Sequence, residues 1–209
     1  MTRRTIAAAV LAIMFLGGCD GTAEGSGEAS GEPWHDEVAA AESAGTVGVG
    51  SACPLPVTFG LADGWEAEPI EVSDPTDELV EVLEALTRRG GSTVRCELDG
   101  RAVVPGFLRV WTADGGGTPA RQALEAFVTA GTESSGPQYR EARAGDLEVV
   151  EATWLSRRRL TDSDVREWAL AVTVADQTVL IEASSTSFGE PLDVLPAYRL
   201  ARDTLAVGN

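Results

Sequence analysis

The stretch Arg166-Glu-Trp-Ala-Leu-Ala-Val-Thr-Val-Ala-Asp-Gln-Thr-Val-Leu-Ile-Glu-Ala-Ser184 decides how the rest of the chain is read. Trp168, Leu170 and Val172 alternate with Glu167, Ala169 and Ala171, and a period of two is the mark of a strand. Ala175-Asp176-Gln177 interrupts the alternation with turn residues, and Thr178–Ser184 resumes it. The reading is an antiparallel pair, Arg166–Val174 against Thr178–Ser184.

Working outward, the same pattern recurs. Tyr139–Ala142 and Leu147–Leu155 read as a second hairpin. Thr93–Leu98, the turn Asp99-Gly100, and Phe107–Thr112 give two more strands. Val57–Leu61 and Trp65–Ile70 flank Ala62-Asp63-Gly64 and read as a first hairpin. Between these lie helical periods. Asp74-Pro75 supplies an N-cap with proline at the first helical position, Leu79, Val80, Leu83 and Leu86 share a face, and Gly90-Gly91 stops that helix. Thr118-Pro119 opens a second helix with Leu124, Phe127 and Val128 as its buried stripe. Pro191–Leu205 is a third, carrying Leu195, Tyr198, Leu200 and Leu205. Strands joined by tight turns with interposed helices predict an α+β fold, an antiparallel sheet flanked by helices in a sandwich. Residues 52–209 suffice for one such domain with a full core.

The N-terminus carries a different signal. Arg3 and Arg4 precede an apolar run, Ile6–Leu16, too short to span a bilayer as a helix. It ends in Leu16-Gly17-Gly18-Cys19, which resembles the lipobox of bacterial lipoproteins. The resemblance implies a signal peptide over residues 1–18, cleavage before Cys19, and lipidation of that cysteine (a diacylglyceryl group, palmitate) as a membrane anchor. Two acyl chains hold stably where one does not. Residues 19–51 follow, rich in Gly, Ser, Ala and acids, and composition predicts a disordered tether. With Cys19 lipidated, Cys53 and Cys96 remain as an even pair in an exported chain, so a disulfide is expected.

Charge narrows the partners. The formal net charge is −17, there is no lysine, and cleavage before Cys19 removes two basic residues and no acidic ones. Such a chain lacks the cations that nucleic-acid binding needs, so no nucleic acid is expected. The single histidine, His35, falls in the predicted tether, where no rigid shell holds it for nucleophilic catalysis. A Cys/His zinc cage lacks ligands, no P-loop exists without lysine, and no metal or cofactor is expected. Asp114-Gly115-Gly116-Gly117-Thr118 precedes a helix and can be read as an anion cradle, against the plainer reading of a flexible loop. Asp162-Ser163-Asp164 is read as a solvated turn rather than a calcium loop. Arg157-Arg158-Arg159, the one basic block, suits lipid headgroups, an acidic partner or an exposed hairpin end equally. Trp65, Trp111, Trp154 and Trp168 are assigned mainly to the core, with one or two as candidates for lining a ligand groove.

The order of "VTFGLADGWE", "FLRVWTADGGGTPARQALEAFV", "AGDLEVVEATW", "REWALAVTVADQTVLIEAS" and a closing amphipathic helix resembles the PsbP-like and LpqN-like domain of actinobacterial-type lipoproteins. The resemblance implies a non-catalytic binding or accessory role and carries no catalytic motif. The expectation is a lipid-anchored protein on the outer face of the cell membrane, not an enzyme, with a partner protein, a lipid or a glycan of the envelope as its ligand. The alternative is an envelope hydrolase using paired carboxylates, which composition alone leaves open.

Overall fold

The computed structural model describes residues 33–71, 80–131 and 133–208. In chain order the elements are β1 (Ser43–Val47), β2 (Val57–Ala62), β3 (Glu66–Pro69), α1 (Val80–Thr87), β4 (Arg88–Arg89), β5 (Ser92–Asp99), β6 (Gly106–Ala113), α2 (Ala120–Thr129), β7 (Ser135–Ala144), β8 (Leu147–Arg158), β9 (Ser163–Val174), β10 (Gln177–Ser185), a 3-10 turn (Pro191–Val194), α3 (Leu195–Asp203) and β11 (Ala206–Val207). Every strand pairing is antiparallel. The large sheet runs β3-β5-β6-β10-β9-β8-β7 with β4 added against β5, and a small sheet runs β1-β2-β11. The expected α+β sandwich is the fold observed.

The hairpin of the opening stretch forms as read. Val174 pairs with Gln177 across a turn in which Ala175 takes φ 52°, and Trp168 pairs with Ala183. What lies on its two faces explains its composition. Trp168, Leu170, Val172, Val179 and Ile181 enter a core closed by α3 and the small sheet, while Ala169, Ala171 and Leu180 enter a second core closed by α2. The central strands are therefore buried on both sides, and alanine is the size that lets α2 lie close. The hairpin of β7 and β8 is also as read, with Ala144 paired to Leu147. In α3, Leu195, Tyr198 and Leu200 are buried, as is Leu205 just beyond it.

One close approach depends on glycine. A Cβ on Gly60 of β2 would sit 3.0 Å from Leu200 Cγ of α3, and the Gly60 N–H donates to Thr204 Oγ1 at 2.7 Å. The small sheet and α3 are thus locked together. The expected disulfide is present: Cys53 and Cys96, with Cα atoms 5.9 Å apart, tie the loop before β2 to β5.

Four expectations are corrected. Residues 33–51, assigned to the tether, belong to the folded unit: β1 pairs with β2 from Ser43↔Ala62 to Val47↔Phe59, and Val47 is fully buried. Glycine and serine make poor strands alone, but here β2 supplies the partner. Secondly, β2 and β3 do not form a hairpin. After the turn at Asp63-Gly64, β2 stays with β1 and β11, while β3 joins β5 in the other sheet. Thirdly, Arg88 and Arg89 leave the first helix to pair with Thr93 and Ser92 around Gly90-Gly91, so the glycines close a tight turn of strands. Gly90 is required there, since a Cβ would meet Ala126 O at 2.4 Å. Finally, Leu86, read as part of the apolar face of the first helix, is exposed rather than packed. Cys19 and the rest of residues 1–32, together with Asp74-Pro75 and Leu79, lie outside the described residues.

Candidate functional site

The α2 face of the large sheet ends in polar side chains where its middle is apolar. Register builds a single row across it: Glu97 pairs with Arg109, Arg109 with Glu182, and Glu182 with Ala169. Glu167 stands on β9 diagonally from Glu182, one side-chain step nearer the end of the sheet. The Arg88–Arg89 strand brings Arg89 over this row. A cleft of about 290 Å³ results, lined by Arg89, Arg109, Trp111, Gly131, Glu167 and Glu182. It lies near the lower end of the volumes that hold small molecules.

Glu182 is buried and fully engaged. Arg89 Nη1 donates to its Oε1 at 2.6 Å and Trp111 Nε1 to its Oε2 at 3.2 Å. Arg89 is itself fixed, since its Nε donates to Phe127 O at 3.0 Å and its guanidinium lies 4.1 Å from the Phe127 ring centre. The Trp111 and Phe127 rings meet edge to face at 5.1 Å. Arg109 is held by Glu97 at 2.9 Å. Glu167 is different. Burial, reinforced by the neighbouring Glu182 charge and only partly opposed by Arg89, pushes its carboxyl up to about 7. The cleft therefore offers a ligand one carboxyl that takes up or releases a proton near neutrality, beside cations already committed to other acids. It can hold a proton, an amine or a hydroxyl-rich group.

A second polar cluster lies on the opposite face, under α3. Glu151 is buried, receives Arg140 Nη2 at 2.6 Å and Tyr198 Oη–H at 3.1 Å, and stands within 4 Å of Arg199 and Arg202. The N-terminal segment docks here. Asp36 takes two hydrogen bonds from Arg140, at 2.6 and 2.7 Å, and lies 3.2 Å from Arg199. Those Arg140 hydrogen bonds hold the Asp36 carboxyl below its ordinary value. Arg199 donates to Trp34 O, Arg140 stacks 4.2 Å from the Trp34 ring, and Trp168 Nε1 donates to Pro33 O at 2.9 Å. Burial first, and the Glu151 charge second, push the Tyr198 hydroxyl well above its ordinary value.

His35, placed in a floppy tether by composition, is held against Trp168 with ring centres 6.0 Å apart. Its ring hydrogen bond is to Glu37 at 3.2 Å, and no hydroxyl or thiol is joined to it among the described residues. The Asp114–Thr118 loop lines a larger open cavity of about 630 Å³ at the far end of the sheet. Two of its N–H groups are spent on carbonyls, Asp114 N–H on Gly91 O at 2.7 Å and Gly117 N–H on Asp176 O at 2.8 Å. Asp114 and Asp176 line the same cavity, and their negative charge opposes an anion there. Asp162 and Asp164 both turn to Arg157, at 2.7 and 3.1 Å. Trp65, Trp111, Trp154 and Trp168 are all buried, and Trp111 is the one of these that also lines the polar cleft. The sequence reading missed Arg89, Glu167 and Glu182 as a group, and it missed the Trp34–Asp36 dock. A tryptophan inside a Gly/Ser/Glu-rich stretch was the one available signal for the latter.

An antiparallel sheet packed between helices, with a polar cleft on one face and a docked N-terminal segment on the other, defines an α+β domain. The chain belongs to the family described as uncharacterised lipoprotein, whose model matches residues 24–205. No curated protein matches it. Among solved structures the chain is similar to cyanobacterial PsbP (CyanoP) from Synechocystis sp. PCC 6803, with 13% identity, a TM-score of 0.46, and coverage of 88% of this chain and 98% of that one. It is also similar to a crystal structure from Bacteroides thetaiotaomicron, with 9% identity and a TM-score of 0.40. That match covers 73% of this chain and spans 45% of the Bacteroides chain.

Proposed function

We propose that the protein is exported, cleaved before Cys19 and anchored by lipid on that residue to the outer face of the cell membrane. There its domain serves as a non-catalytic binding or accessory module for an envelope protein, lipid or glycan. The observation that carries the non-catalytic reading is Glu182. Each of its oxygens accepts a hydrogen bond, from Arg89 and from Trp111, which commits Glu182 to an ion pair and leaves Glu167 as the lining carboxyl without one, whereas hydrolysis by paired carboxylates needs two working carboxyls. A second reading, the envelope hydrolase, is favoured by one fact: Glu167 titrates near neutrality beside another carboxylate.

One experiment separates the two. The purified domain is screened for turnover of esters, peptides, phosphoesters and glycosides, beside thermal-shift measurements with envelope lipids and glycans. A ligand of the folded state raises the midpoint by mass action. Stabilisation without turnover, lost in Glu167→Gln, is the expected result. Saturable turnover abolished by Glu167→Gln establishes the hydrolase instead.

A further inference from the structure

The end of the large sheet that carries the connection between β8 and β9 exposes two bulky apolar side chains. Leu160, in that connection, is 81% exposed, and Phe188, in the loop after β10, is 89% exposed. One side chain ties the two loops together. Arg158, at the end of β8, donates to Ser185 Oγ, to Ser187 O at 3.5 Å and to Gly189 O at 3.0 Å, so its guanidinium clasps the backbone on both sides of Phe188. These acceptors are neutral. Arg159 is exposed and makes no hydrogen bond or ion pair among the described residues. Arg157, by contrast, is matched by Asp162 and Asp164. In a chain of net charge −17, Arg159, without a carboxylate partner among the described residues, and Arg158, which forms no ion pair although its charge acts on Glu167, flank two apolar tips. Water is a poor solvent for such tips, and a hydrophobic surface rimmed by arginine suits an interface.

The docked segment of residues 33–36 points to the same end. The docked segment passes from Asp36, at Glu151, to Pro33, at Trp168. Glu151 pairs with Leu170 and Thr153 with Trp168, so the chain, followed toward its N-terminus, runs toward the connection that carries Leu160. From Trp168 that end of β9 is roughly 17 Å away. Between Cys19 and Pro33 the chain spans at most about 50 Å when fully extended.

Resting on the reading of Cys19 as lipidated, we propose that this end of the domain is a second, direct membrane contact. Leu160 and Phe188 enter the interfacial zone of an anionic phospholipid leaflet, and Arg158 and Arg159 meet its phosphates. The Glu167 cleft, whose wall includes Ser184, opens on the same half of the sheet and is carried close to the headgroups.

The test uses the mature, lipidated chain in vesicles of phosphatidylcholine with phosphatidylglycerol. Leu160→Cys and Phe188→Cys are labelled with an environment-sensitive fluorophore, and Asp176→Cys in the opposite turn serves as the reference. The expected result is a blue shift and quenching by lipid-borne nitroxide at 160 and 188 but not at 176. The shift at 188 should be lost when Leu160→Asp is added and weakened by salt. Flotation with the vesicles reads the anchor separately. A chain that floats while both probes stay in water overturns the contact and leaves the anchor standing. A chain whose Cys19 carries no lipid and which does not float overturns both.

Discussion

Replacing Glu167 by glutamine should make the protein more stable at neutral and alkaline pH, by an amount the structure sets. The carboxyl is raised from 4.5 to about 7 in the folded chain. Below pH 4.5 it is protonated in both states and contributes no penalty. Between 4.5 and 7 the unfolded chain releases the proton and the folded chain keeps it, so stability falls as pH rises. Above 7 the folded chain must carry the buried charge beside Glu182, and the full penalty is present. Two and a half units correspond to about 3 kcal/mol, and the part of the side chain that reaches the cleft lowers the expectation to about 2–3 kcal/mol. Glutamine has a similar shape and no charge to bury. Urea unfolding of both proteins from pH 4.5 to 8.5 measures the difference. The gap between them should be near zero at the acid end, open through pH 5–7 and stay constant beyond. Other carboxylates, such as Asp36 and Asp99, are shifted downward and act equally in both proteins below this window. A gap that is absent at pH 8, or equal at pH 4.5 and pH 8, would refute the placement of Glu167 as a buried acid coupled to Glu182.

Three further outcomes are expected. Cys19→Ala should abolish lipid labelling and release the protein from the membrane fraction; unchanged retention on fractionation contradicts the anchor. Breaking the Cys53–Cys96 bond by Cys96→Ser, together with Cys53→Ser, should cost about 4 kcal/mol by loop closure, read from the urea midpoint. Asp36→Ala leaves Arg140 and Arg199 with Glu151 as their carboxylate and Arg202 with Glu151 and Asp203, and about 1–3 kcal/mol should be lost, with faster amide exchange confined to residues 33–47 and α3.

What could be read in advance followed locality. The β9–β10 and β7–β8 hairpins announce themselves because alternation and turn residues lie within about twenty positions of each other. The disulfide followed from cysteine parity and from the export that the N-terminal sequence leads one to expect. By contrast, Ser43–Val47 has no strand signal of its own; it is a strand because Val57–Ala62 lies beside it. The same strand, β2, was assigned to the wrong partner because a good turn at Asp63-Gly64 marks a change of direction, not what the chain does afterwards. The cleft was invisible for a related reason. Arg89, Trp111, Glu167 and Glu182 are far apart in sequence, and only the register of β6, β10 and β9 brings them together. Trp34 to Asp36 sit in a stretch whose average composition is that of a linker, and the average hid three residues that bind.

The small sheet places a strand from each end of the chain on the two sides of β2, with Val207 opposite Val57. A polypeptide threaded across a membrane N-terminus first cannot finish this sheet until almost its last residue has emerged. The disulfide, however, needs only the first half of the domain. Cys53 and Cys96 can meet while β7 to β11 are still in transit, clipping an unfinished core in place. Such an order ends assembly with a long-range pairing, the kind of step that makes folding slow.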